Sequence, residues 1–328
     1  MSIRPLLFAI RSLAVPRFWG PITLALLGLA PALLAGEANG IPSPETRRLR
    51  LAFSAGVIGE INHNDAKASM IAWGHALMVQ HLTQVEKVEP NIFENPAELF
   101  RAVQEGSIDG AAVMTDELLS RPASLAVDSL YVTVKNGKIT VQYVLLVHQD
   151  SGIAALADLR GKSLELHKSS RTSLAAPWLD LRLADQGLGP AESVFRKIDR
   201  SEEASRTVLH AFFRQADAVV VTRDAFDTMR ELNPQIGKEL RVLAVSPEVV
   251  PSLFFLRPDF TGSLRTDLET AIATLHDTVA GRQALTVFQG DRLQRAPLSI
   301  LQSSIDLMAA HARLPRSRPA GPAPARGF

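Results

Sequence analysis

Tyr143–Leu183 reads YVLLVHQDSGIAALADLRGKSLELHKSSRTSLAAPWLDLRL. An apolar run, a loop, a short helical segment and a glycine turn lead into a second apolar run. A hydroxyl-rich loop and a longer helix follow. A strand that turns through a loop into a helix is the unit of an α/β fold, and this stretch holds two strands and the helix that follows the second. The loop Lys168-Ser169-Ser170-Arg171-Thr172-Ser173 falls where that strand ends and the helix begins. Helix N-termini carry unpaired N–H groups and a partial positive charge, so hydroxyls and cations gathered there suit a small oxyanion. Serine and threonine also cap ordinary helices, and the loop by itself leaves both roles open.

The same alternation extends in both directions. Leu49, Leu51 and Phe53 alternate as in a strand, Asn64-Asp65 caps a helix reaching His81, and Asn95-Pro96 opens another. Ile108–Met114 reads as a strand. Leu125–Val134 and Ile139–Val147 read as a hairpin turning at Asn136-Gly137. Asp217–Thr222 is a buried strand between helices, Arg241–Val245 and Leu253–Leu256 are further strands, and helices close the chain up to Ala312. The pattern predicts an α/β protein with largely parallel sheets.

Composition narrows the function. The 328 residues carry a formal net charge of +1, which gives no basic surface for nucleic acid. The absence of cysteine excludes disulfides, thiolate chemistry and a lipid anchor on cysteine. Arg4, Arg11 and Arg17 precede the apolar run Ile22–Ala35, and small residues follow. This predicts a signal peptide over residues 1–38 and an exported, periplasmic protein. The run is shorter than the ~20 residues that span a bilayer. Residues 313–328, rich in Pro, Arg, Ala and Gly, are expected to form a disordered tail.

Motifs for turnover are missing. Gly161-Lys162-Ser163 lacks the first glycine of a phosphate loop, and neither a nucleophile elbow nor an H-E-x-x-H zinc motif occurs. His63 with Asp65 is a weak metal pair. No cofactor, metal or catalytic role is therefore expected.

Asp150-Ser151-Gly152-Ile153 followed by Leu156-Ala157-Asp158-Leu159-Arg160-Gly161-Lys162 resembles the passage into the second lobe in periplasmic solute-binding proteins of ABC importers for phosphate, phosphite and phosphonates. Related binders of sulfonates share a version of it. The likeness covers most of residues 48–312. It implies a two-lobed type II periplasmic-binding-protein fold, with two mixed sheets flanked by helices and two crossing hinge strands. Lobe one would comprise residues 46–147 and 247–312, and lobe two residues 148–246, with rotation about crossings near His148 and Ser246. The family's Ser-Thr-Ser-Gly run, set in register by Pro177, falls on Ser170, Arg171, Thr172 and Ser173, with Ser169 before it. Arg171 and Ser173 depart from that run. Asp217 matches an acidic residue that in phosphonate binders helps to hold the ligand's amino group; a strand-end Asp can equally cap a helix. The family's aromatic residue after the third strand is replaced here by Thr115-Asp116-Glu117-Leu118. Thr115 and Asn64 are the expected lobe-one contacts. The resemblance implies a monomer that binds a small anion without chemistry and meets an ABC permease. The alternatives are a sensing module of the same fold that meets a membrane sensor kinase and, ranked below it for want of a nucleophile or acid–base pair, an enzyme on a similar two-lobed fold.

Overall fold

The structure, a computed structural model, describes residues 47–59, 63–82, 85–287 and 289–315. The expected signal peptide and residues 316–328 of the expected tail lie outside them. From Arg47 the chain forms β1 (Arg47–Ser54), the single turn α1 (Ala55–Ile58), α2 (His63–His81), β2 (Val85–Phe93), α3 (Pro96–Gln104), β3 (Gly110–Met114), α4 (Thr115–Leu119) and β4 (Leu130–Val134). It continues through β5 (Tyr143–His148), β6 (Ser163–His167), α5 (Ala175–Ala184), α6 (Ala191–Val194), β7 (Lys197–Ser201), α7 (Ala204–Phe212), β8 (Ala218–Thr222), α8 (Arg223–Leu232), α9 (Pro234–Glu239) and β9 (Leu240–Val245). It ends with β10 (Ser252–Leu256), α10 (Ser263–Thr274), α11 (Val279–Val287), β11 (Arg292–Ala296) and α12 (Gln302–Ala312).

The strands make two mixed sheets, ordered β2-β1-β3-β10-β4-β11 and β7-β6-β8-β5-β9. In each, three strands are parallel, and the strand beside them is antiparallel and arrives from the other sheet. β5 enters the second sheet after a crossing, and β10 returns to the first. Interior strands are buried on both faces, as parallel strands between helices must be. Tyr143, Leu145 and Val147 pack with Trp178 and Leu183 of α5, whereas Val144 and Leu146 pack with Val208 of α7 and Phe226 of α8. In the first sheet Leu49, Leu51 and Phe53 face α2 and α10, and Ala52 faces Leu99, Phe100 and Val103 of α3. No helix among the described residues is long and apolar enough to cross a membrane.

The structure corrects the expected hairpin and the boundary at 147/148. Asn136 and Gly137 do form a turn with positive φ, closed by paired Lys135 and Lys138. The flanking strands then part: β4 joins β10 and β11, and β5 joins β8 and β9. The change of sheet therefore lies between Val134 and Tyr143. The two crossings run side by side, with Val141 and Val249 exchanging backbone hydrogen bonds at 2.7 and 2.9 Å. His148, expected at a hinge, sits at the far end of β5. α12 leans on both lobes: its Ser304 hydroxyl accepts the Val250 N–H at 2.9 Å, and Leu307 packs into the lobe-two core.

Candidate functional site

The carboxyl ends of β1, β3, β6 and β7 face one another across a cleft of ≈450 Å³. Ligands of open α/β sheets bind outside such strand ends. Lobe one contributes α1 with Gly56 and Gly59, and Met114, Asp116 and Glu117 at the β3–α4 junction. Lobe two contributes His167, Lys168, Ser169, Ser170, Thr172 and Ser173, the start of α5, and Arg200 at the end of β7.

The loop folds as a 3-10 turn, Ser170–Thr172, ahead of α5. Thr172 is consumed internally. Its hydroxyl accepts the Ser169 N–H at 2.9 Å and donates to the His167 carbonyl at 2.7 Å. α5 itself has no side-chain cap, so its first N–H groups are not satisfied by the loop hydroxyls. Pro177 lies in its first turn and brings no N–H. Ser173 Oγ is buried and without a partner. Buried hydroxyls are ordinarily hydrogen-bonded, and Ser173, a residue of the cleft wall, has one that is unused. Burial pushes His167 down, against a hydrogen bond to the Glu202 backbone, which favours the neutral imidazole.

The opposite wall is acidic. Burial pushes Glu117 up, against the Ser54 hydroxyl and the Met114 N–H, which its carboxylate accepts at 2.8 Å. Asp116 Oδ1 is buried and lacks a partner. The cleft thus sets two carboxylates against Lys168 and Arg200.

Four expected contacts lie elsewhere. Arg171 turns to the far face of the loop, into a separate cavity of ≈360 Å³ lined by Asn136, Thr222 and Asp224. Its guanidinium is 3.8 Å from Asp224 with the side chain 13% exposed, and burial lowers its pKa. Thr115 is fully buried; its hydroxyl donates to the Val250 carbonyl at 2.6 Å, tying α4 to the return crossing. Asn64 is exposed near the start of α2 and does not line the cleft. Asp217 lies beside Ser163, at the other end of β6 and β8 from the loop, roughly 16 Å along the strands. Its carboxylate accepts the Ser163 N–H at 2.8 Å and the Ser163 hydroxyl at 2.7 Å. Burial is outweighed by those bonds and by Lys162 and Arg196, which together hold Asp217 low. The position follows from the parallel pairing: a residue opening β8 lies beside the start of β6, not its end.

Asp217→Ala is accordingly expected to leave anion affinity unchanged and to cost about 1 kcal/mol of stability, solvent screening the ion pairs. With its folded pKa below the unfolded one, the contribution is present above the unfolded carboxyl range. It is lost as pH falls through the folded value. Melting curves of wild type and variant from neutral pH into acid check this by converging.

His148, Asp150 and Glu239 bring ligand atoms within 4.8 Å of one another. Their groups are satisfied without an ion: His148 Nδ1 accepts the Asp150 N–H at 3.2 Å, Nε2 faces Glu239 at 3.4 Å, and Asp150 pairs with Arg214 at 2.8 Å.

Comparison with known proteins agrees with this architecture. A Xanthomonas citri protein bound to chloride ion superposes with a TM-score of 0.57 at 14% identity, over 81% of this chain and 98% of that one. PhnD1 from Prochlorococcus marinus, in complex with methylphosphonate, gives 0.54 at 14% identity, over 83% and 100%. A binding protein component of an ABC phosphonate transporter from Pseudomonas aeruginosa gives 0.53 at 14% identity, over 84% and 91%. At these identities the likeness establishes the fold. No curated protein shows significant sequence similarity to the chain. The model of the family described as ABC transporter, phosphonate, periplasmic substrate-binding protein matches residues 67–299, and the chain belongs to that family.

Proposed function

We propose that the protein, exported to the periplasm, captures a small oxyanion between its lobes and delivers it to an ABC permease. Phosphate, phosphite and phosphonate-like anions are the candidates. The observation that carries this reading is the Ser173 hydroxyl, buried without a partner beside the uncapped start of α5. There N–H groups and hydroxyls can replace the anion's hydration, with Lys168 and Arg200 adding charge. Closure would rotate the lobes about the Val141–Val249 pairing and bring Asp116 and Glu117 toward the ligand's outer end. Two carboxylates there disfavour a second negative charge and favour a ligand that presents a proton or another donor. Binding of this kind needs no covalent step.

A thermal-shift screen with phosphate, phosphite, phosphonates, sulfonates and carboxylates tests the proposal. A ligand at 100 times its Kd adds about 2.7 kcal/mol, equivalent to roughly 5–10 °C in Tm for a chain of this size. The largest shifts are expected from oxyanions carrying a hydrogen-bond donor. Absence of a shift with every anion overturns the reading.

A further inference from the structure

Tyr143 is fully buried where the first crossing becomes β5. Its backbone binds the return crossing twice: its N–H donates to Ser246 Oγ at 2.7 Å, and its carbonyl accepts the Ser246 N–H at 2.9 Å. Its side chain reaches the other way. The ring lies 6.2 Å from that of Trp178 in α5, and the hydroxyl donates to the Arg171 carbonyl at 3.1 Å, in the middle of the Ser170–Thr172 turn. Burial pushes the phenol up, and the Leu174 N–H, at the head of α5, pulls against it. The hydroxyl thus lies between the turn and the start of the helix.

The Arg171 side chain is anchored to the same region. Asp224 faces Arg171 at 3.8 Å and Lys138, on the first crossing, at 3.6 Å. The Arg223 N–H donates to the Gln142 carbonyl at 2.7 Å, which fixes the start of α8 to that crossing. The residue at the centre of the loop is therefore held to the crossings through its carbonyl and through its guanidinium, while Ser170 and Ser173 face the cleft.

We propose that Tyr143 is a positioning residue for anion binding, joining the paired crossings to the Ser170–Thr172 turn so that hinge rotation and loop shape are coupled. This rests on the reading of the loop as the ligand seat. Tyr143 never touches the ligand. It sets the angle at which the turn and the start of α5 meet the cleft, and rotation about Val141–Val249 passes to the loop through one buried side chain.

Tyr143→Phe keeps the ring against Trp178 and removes only the hydroxyl. Titration with inorganic phosphate and with methylphosphonate is expected to give about 3- to 10-fold weaker binding for whichever probe the wild type takes up. Hydrogen exchange in the ligand-free protein supplies an independent readout, with the amides of residues 170–174 expected to exchange about tenfold faster in the variant. Ser246→Ala, which alters only the crossings, is expected to loosen the same loop amides, an effect that a local packing role would not produce. Should Tyr143→Phe fail to fold, Ser246→Ala carries the exchange measurement alone. Unchanged loop exchange in the variants that fold overturns the coupling whether or not either probe binds. Wild-type protein that binds no anion, with loop exchange responding as expected, overturns instead the reading of the loop as the seat.

Discussion

Replacing Ser170 and Ser173 together by alanine is expected to lower affinity for the bound oxyanion about 10²- to 10⁴-fold while the fold stays intact. Each hydrogen bond to a charged partner contributes on the order of 1.5–3 kcal/mol, and every 1.4 kcal/mol is a factor of about ten. The two positions can be altered without harm to the free protein because of how the loop is wired. Ser173 Oγ has no partner to lose, and removing an unsatisfied buried hydroxyl is neutral or favourable. Thr172 behaves differently. Its hydroxyl holds Ser169 and His167 together, so Thr172→Ala opens the turn and confounds binding with folding. Calorimetric titration beside a melting curve separates the cases. Wild-type affinity with an unchanged Tm would move the anion to another seat, and the Arg171 cavity is the next to probe.

How much of this was legible in the sequence depended on burial. β3, β5 and β8 lie inside their sheets, are largely apolar on both faces and read directly as strands, while β6, also inside, carries Leu164 and Leu166 on one face and the buried Ser163 and Glu165 on the other. The sequence reading did not identify β2, β7 and β11. All three are edge strands: β7 and β11 have mostly exposed side chains, and β2 is buried only at Val85 and Val88 and contains Pro90, which only an edge tolerates without losing a ladder bond. Arg200 was missed for that reason, since it lies on β7. The Asn136-Gly137 turn was read correctly, but a local signal cannot say that the two strands leave for different sheets. Ser169, Ser170 and Ser173 were identified from their place at a strand-to-helix junction, and they line the cleft. At the lobe-one wall the expected contact and the residues that line the cleft differ by one position. Thr115 turns inward to Val250, and Asp116 and Glu117, next in sequence, take the cleft. Asp217 is expected at the site by resemblance alone, and the parallel register of β6 and β8 sets it at the end of those strands away from the loop.

Asp109→Ala is expected to be the most damaging single truncation to lobe one, costing about 3–5 kcal/mol and lowering Tm by about 10 °C. Asp109 is 3% exposed just before β3. Its carboxylate accepts the Arg50 backbone N–H at 2.9 Å, Arg50 Nε at 3.2 Å and Nη2 at 2.8 Å, and Arg257 Nη2 at 3.3 Å. The backbone closes the same junction: the Asp109 N–H donates to the Arg50 carbonyl, and the Arg257 N–H to that of Asp109, at 2.8 and 2.9 Å. One carboxylate thus fastens β1 to the entry of β3 and to the residue after β10, across three adjacent strands. Losing it leaves the Arg50 and Arg257 guanidinium groups partly buried, and breaking one side of such a cluster costs more than the intact cluster contributes. That asymmetry supplies the control. Arg257 keeps Asp259 at 2.6 Å, so Asp109→Leu combined with Arg50→Met removes the cation that would be stranded. The pair is expected to recover part of the loss seen in Asp109→Leu alone. Urea unfolding of the two single variants and the double one measures the coupling, and simple additivity would mean that the three strands are held by their backbone ladder and core alone. The cluster sits at the middle of β1 and at the end of β3 opposite the cleft, so anion affinity at a temperature where the variant is folded is expected to stay at the wild-type value.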